Sequence, residues 1–146
     1  KEKKDRIEDA LNATRAAIEE GIVPGGGLAL LRAIPVAEAL RLPGDQKFGR
    51  DVVVRAMRAP LCQIADNAGL DGKVILEETL EKKGAQGLNV ATGKWGNMLD
   101  MGIIDPAKVV RSALQNAGSV VSLMLTTETV VTELKDKEHE VAGATS

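Results

Sequence analysis

Gly21-Ile22-Val23-Pro24-Gly25-Gly26-Gly27 stands between two helical patterns and decides how the chain folds. Upstream, residues 1–20 are charge-rich, and Ile7, Leu11, Thr14 and Ile18 recur at three- and four-residue steps. That spacing predicts an amphipathic helix with one apolar stripe, which Gly21 is placed to stop. Downstream, the apolar run from Leu28 to Ile34 begins a second helix, and Pro35 predicts a break or kink in it. Three glycines before a helix let the backbone approach a neighbour closely. The neighbour is either a tightly packed element or a phosphate or ribose met by free N–H groups at the helix start. The triplet by itself admits both. No Gly-Lys-Ser/Thr follows it, so it is not a Walker A loop, and it lacks the spacing of a dinucleotide fingerprint.

Further along, Pro43, Gly44 and Asp45 form a loop with Asp45 as a candidate N-cap. Val53, Met57, Leu61, Ile64 and Ala68 then keep helical spacing through 46–68, interrupted by Pro60, which predicts one kinked helix or two. A turn from Gly69 to Lys73 leads to a short helix over 73–83, with lysines in its last turn to complement the helix dipole. Glycines at 87, 93, 96 and 102 divide short segments, and the stretch around 87–92 reads as a small hairpin. Asp105-Pro106 reads as a helix start, with Asp as the N-cap and Pro at the first helical position. The helix after it places Val109, Ala113, Leu114, Ala117, Val120, Val121 and Met124 on an inward face. Glu128 to Leu134 alternates β-branched and polar residues and predicts one strand. With no other sheet to join, that strand needs a partner from outside this chain. From Lys135 the tail is charged and then small, as flexible termini are.

Composition narrows the function classes. The chain has 146 residues, 44% of them hydrophobic and 27% charged, which suits a soluble domain with a core of its own. Phe48 and Trp95 are the only aromatics, so the core is built from aliphatic residues that favour close helix packing. A net charge of −2 supplies no basic face for nucleic acid. No apolar run approaches the roughly 20 residues that span a bilayer. Cys62 is alone, which excludes an internal disulfide and fits a reducing compartment. The single His139 leaves no His/Cys metal cluster. The chain opens at Lys1 inside a charged helical pattern, as expected of a piece of a longer protein.

Each residue able to do chemistry also has an ordinary role. Asp9 borders the apolar stripe of the first helix; it is either a solvated charge or a base that orients an attacking water. Asp105 caps a helix, Asn89 suits a turn that tolerates left-handed φ, and Trp95 serves as a packing anchor. Cys62 has no His or Asp neighbour in sequence to make it a nucleophile.

At these same residues the chain resembles the group I chaperonins of the GroEL type. The resemblance is carried by Asp9-Ala-Leu-Asn-Ala-Thr-Arg-Ala-Ala17, Glu19-Glu-Gly-Ile-Val-Pro-Gly-Gly-Gly27, Gly96-Asn-Met98, Gly102-Ile-Ile-Asp-Pro-Ala-Lys-Val109, Arg111-Ser-Ala-Leu114 and Thr126-Thr-Glu128. It implies a mainly α fold: the C-terminal half of a chaperonin equatorial helical domain, with a small β hairpin and a C-terminal strand, preceded by an intermediate-domain helix. Residues 1–20 would end the intermediate domain, 21–135 would form the equatorial, ATP-binding part, and 136–146 a flexible tail. The function implied is ATP-dependent protein folding, by a subunit of which this chain is a piece unable to hydrolyse ATP alone.

By the same resemblance Asp9 activates the attacking water. Gly26, with Gly25 beside it, contacts the nucleotide; Asn89, Val90 and Ala91 touch the adenine; Ile103 and Asp105 lie at the base and ribose. The cofactors implied are ATP and Mg²⁺, the magnesium ligand and the Gly-Asp-Gly-Thr-Thr phosphate loop being expected in the N-terminal half, as no metal ligand belongs to this stretch. The partners implied are like subunits in a heptameric ring, single or double, with a co-chaperonin and unfolded proteins held by an apical domain, and neither nucleic acid nor membrane. The strand 129–134 would join a neighbouring subunit's sheet, and the turn at Asp71 and Lys73 would lie at a ring–ring contact. The compartment implied is a bacterial cytoplasm or an organelle matrix. Three features depart from the family pattern or are shared with another branch. Cys62 stands where a charged residue is common near the ring–ring contact, the tail lacks Gly-Gly-Met repeats, and Pro24 is also found in group II chaperonins. The alternatives are a group II-like segment, or a purely structural helical module whose glycines and Asp105 serve packing and capping; on its own the chain could also self-associate through the face left bare.

Overall fold

The computed structural model describes residues 2–129 and 131. Its first helix, α1 (Glu2–Glu20), stops where expected: Gly21 takes φ +81° and its N–H donates to the Ala17 carbonyl at 2.8 Å. A short strand, β1 (Ile22–Pro24), follows, and the glycine triplet turns the chain into α2 (Leu28–Glu38). Leu28, Leu31 and Ile34 form the buried face of α2. The helix runs on through Pro35, against the expected break. A proline removes one backbone bond, and so near the C-terminal end the helix forfeits little.

α3 (Gln46–Ala56) and α4 (Ala59–Asn67) are two helices, broken at Met57 and Arg58, so that Pro60 falls in the first turn of α4, where a missing N–H does no harm. Asp45 stands before α3, but its side chain makes no cap bond; the Phe48 N–H instead donates to the Asp45 carbonyl at 3.0 Å. α5 (Gly72–Glu81) is capped by Asp71, whose Oδ1 accepts from the N–H groups of Lys73 at 2.9 Å and Val74 at 3.2 Å. It ends before Lys82 and Lys83, which therefore lie past the last turn rather than in it.

β2 (Gln86–Asn89) and β3 (Lys94–Asn97) pair antiparallel as the expected hairpin, with Leu88 opposite Trp95 and Asn89 opposite Lys94. A second two-stranded sheet was not legible in the sequence: β1 pairs antiparallel with β4 (Ile104–Pro106), Val23 opposite Asp105. The last helix, α6 (Ala107–Thr126), starts one residue later than the Asp-Pro pattern predicts. Asp105 is therefore a strand residue, and no side chain caps α6. The predicted strand at 128–134 and the tail fall outside the described residues, apart from Glu128, Thr129 and Val131, which are not in a strand.

The core gathers Leu28, Leu31, Ile34, Val54, Met57, Leu61, Leu76 and Met98 from α2, α3, α4, α5 and the segment after the hairpin. Two predicted inward faces stay outside it. On α1 the stripe is bare, with Ile7 62% and Ile18 80% exposed, while Ala16 is the buried residue that lets α1 lie close along α6. On α6, Val109, Val120, Val121 and Met124 are exposed, and Leu114 alone of the predicted face packs against the core. Periodicity identified both helices and both apolar faces, and among the described residues those faces are left largely bare.

Candidate functional site

The triplet resolves into three jobs. Gly27 sits so near α4 that a Cβ there would meet the Leu61 backbone nitrogen at 2.6 Å, and its φ is +76°. This is the packing requirement foreseen for the triplet. Gly25 lies against the strand opposite: its N–H donates to the Ile103 carbonyl at 2.9 Å, and a Cβ would press on Ile103 and Ile104 backbone atoms at 3.2 Å. Gly26, between them, is turned to a cavity, with only the Met98 methyl near its face.

That cavity, of about 120 Å³, is walled by Gly26 and Leu28, by Leu61, Ile64 and Ala65 of α4, by Ile75 and Thr79 of α5, by Gly87 to Ala91 of the hairpin, and by Met98 and Ile103. Its surface is mostly apolar. Thr79 is fully buried, and its hydroxyl is spent on the Ile75 carbonyl at 2.6 Å. At the hairpin tip, the Asn89 side-chain oxygen accepts from the Ala91 N–H at 3.0 Å, and the Asn89 carbonyl accepts from the Gly93 N–H at 2.8 Å. Asn89 thus shapes the turn through its side chain, while the positive φ expected of it falls to Gly93.

Of the eight residues singled out from sequence, Gly26, Asn89, Val90, Ala91 and Ile103 line this cavity. Gly25 supports it from behind through its bond to Ile103. Asp105 does not line it; it lies two residues past Ile103, half-buried opposite Val23, and its carboxylate makes no hydrogen bond among the described residues. Asp9 is exposed on α1 and does not reach the cavity. The apolar wall, from Leu28 to Met98, was not identified as part of a site, because buried aliphatic residues carry no signal beyond their periodicity.

Around the site, α1 is tied to the start of α6 by Glu19 with Lys108 and by a two-pronged pair in which Arg111 Nη2 and Nε donate to Glu20 at 2.7 and 3.0 Å. The hydrogen bond from Arg111 holds the Glu20 carboxyl below its ordinary pKa, and Glu20 raises that of Arg111. Burial, helped by Asp66, pushes the Cys62 thiol up, which disfavours the thiolate form. Among the described residues no group of three or more His, Cys, Asp or Glu converges to hold a metal, and no helix is long and apolar enough to cross a membrane.

This mainly helical fold with two small sheets is that of a chaperonin equatorial-domain fragment. It is similar to the crystal structure of a group III chaperonin in the open state, at 33% sequence identity and a TM-score of 0.71 over 80% of this chain. The profile of the TCP-1/cpn60 chaperonin family matches residues 1–135, and the chain belongs to that family. It spans about a quarter of the length of the group III relative, 25% of that chain. Chaperonins as a family are ATPases that form ring oligomers.

Proposed function

We propose that this chain is the C-terminal part of a group I, GroEL-type chaperonin subunit and supplies one wall of its ATP site. The observation that carries the reading is the convergence of Gly26, Asn89, Val90, Ala91 and Ile103, from three separate stretches of sequence, on one cavity. The residues fit such a ligand in kind. Aliphatic walls suit the faces of a purine, a glycine offers backbone without a side chain in the way, and the Asp105 carboxylate, outside the cavity lining and unengaged among the described residues, can accept from a sugar hydroxyl. They do not fit all of it. Ligand pockets usually run from about 300 Å³ upward, so a cavity of about 120 Å³ holds the base end alone. The phosphates and the magnesium ligand fall to the part of the subunit outside this chain, and the isolated chain is inactive as an ATPase.

In the same reading residues 1–20 belong to the intermediate domain, 21–135 to the equatorial domain and 136–146 to a tail. Asp9, away from the cavity, becomes the base for the attacking water only when α1 swings about Gly21, which gates hydrolysis by closure. The bare faces of α1 and α6 are covered by the rest of the subunit. The whole protein is a cytoplasmic or organelle-matrix folding machine of heptameric rings, single or double, that engages a co-chaperonin and unfolded proteins through its apical domain. Group I is favoured by Ile103-Ile104-Asp105-Pro106 and Thr126-Thr127-Glu128. Pro24 and the likeness to a group III structure support a second branch assignment with the same site.

A second reading, a structural module without nucleotide, is favoured by Gly27 and Gly25, each of which has a packing reason sufficient in itself. Titrating ADP into the full-length subunit and its Asn89→Ala variant separates the two. The nucleotide reading expects weaker binding in a variant that still assembles; wild-type protein that binds no ADP overturns it.

A further inference from the structure

Arg32 makes three long-range hydrogen bonds that the site described above does not use. Its Nε–H donates to the Gly84 carbonyl at 2.8 Å, and its Nη2–H groups donate to the carbonyls of Thr79 and Gln86, each at 3.1 Å. It stands on α2 one helical turn after Leu28, whose side chain is buried in the cavity wall. Thr79 is in the last turn of α5 and lines the cavity, Gly84 is in the connection after it, and Gln86 opens β2. One guanidinium therefore joins the helix that leaves the glycine turn to the segment that delivers the hairpin.

The hairpin needs such an anchor. Two strands alone are marginally stable in water, and the position of their tip relative to Gly26 is set by whatever holds their base. Arg32 is half-buried and has no carboxylate partner among the described residues. Burial lowers its pKa from the ordinary arginine value. A cation taken partly out of water and answered only by carbonyls gains little as an ion pair. What it supplies is geometry, because the planar fork fixes several acceptors at once and the negative end of α5 favours a cation there.

We propose that Arg32 is a positioning residue for the nucleotide site, holding the Asn89–Ala91 tip at its working distance from Gly26. The proposal rests on the nucleotide reading for its functional half, while its mechanical half stands apart from it. Arg32→Met keeps the aliphatic stem and removes all three bonds; Arg32→Lys keeps the charge but not the fork.

In the full-length subunit, amide hydrogen exchange at Ala91 and Gly93 is expected to quicken about tenfold or more in Arg32→Met, with α4 amides unchanged and an intermediate rate in Arg32→Lys. ADP affinity should fall about tenfold, and the KM for ATP should rise with little change in kcat. A residue that merely stabilised the fold would instead lower the active fraction and leave KM alone. If Arg32→Met does not fold, Arg32→Lys carries the same comparison. Wild-type exchange at the hairpin in a folded variant overturns the proposal. Quickened exchange in a protein that binds no ADP even as wild type overturns the nucleotide reading and leaves the anchor standing. Quickened exchange with unchanged ADP affinity and KM overturns the assignment of Arg32 to the site.

Discussion

Gly27→Ala tests the packing half of the glycine turn, and its cost is built from two separate effects. The backbone at Gly27 has φ +76°, a region that costs a side chain about 1–2 kcal/mol. The added methyl would also stand 2.6 Å from the Leu61 nitrogen and 2.9 Å from its Cα, so that α4 must move. Overpacking of that kind adds about 1–3 kcal/mol, for a total of about 2–5 kcal/mol. Against a whole-domain stability of about 5–15 kcal/mol, this is a large fraction. Gly21→Ala is the internal control. Gly21 has φ +81° but nothing within 4 Å of the added carbon, so it bears the conformational cost alone. Urea unfolding of both variants, followed by far-UV circular dichroism and compared at a common slope, should place Gly27→Ala about 1–3 kcal/mol below Gly21→Ala. Equal midpoints would refute the claim that contact with Leu61 is what excludes a side chain at Gly27.

Two further outcomes are expected. In the full-length subunit, Asp9→Ala should slow ATP hydrolysis by about a hundredfold or more while leaving ATP binding largely intact, and unchanged single-turnover rates would end its assignment as the base. Glu20, held below its ordinary value of 4.5 by Arg111, contributes to the docking of α1 on α6 above that pH, and the contribution is lost as pH falls through the lowered value. Limited proteolysis near Gly21 should accelerate over that acid range in the wild type and be fast throughout in Glu20→Gln. The pair is largely exposed, so added salt should blunt the difference.

Helices were legible because their signals are local. Three- and four-residue spacing, Gly21 as a stop, the Gly69-to-Lys73 turn before a helical run and the glycine-divided hairpin all rest on contacts within a few residues. The errors have the same physical origin. Asp105-Pro106 looks like a helix start, and nothing near it in sequence says that Val23, more than eighty positions away, pairs with Asp105 and claims it for a strand. Pro35 looks like a break, yet the bond it removes lies close to a helix end, where its loss is small. On α1 the apolar stripe was visible, but the face that packs is the smaller one at Ala16, because close approach to α6 requires small side chains.

The correction at Asp105 bears on function as well. As an N-cap, its carboxylate would have been spent on backbone N–H groups of α6; as a strand residue it keeps both oxygens unengaged among the described residues, beside the bond that joins Gly25 to Ile103. Gly27, in a triplet whose sequence admitted either a phosphate contact or tight packing, is a packing position against Leu61. Adjacent glycines thus serve different masters, and only long-range contacts could tell them apart. The same contacts single out Arg32, which reads in sequence as one more charge on a helix and in the fold bridges stretches about fifty residues apart. A cavity assembled this way depends less on any one motif than on whatever fixes the distance between its walls, so the groups that set that distance are as exposed to loss by mutation as the groups that line it.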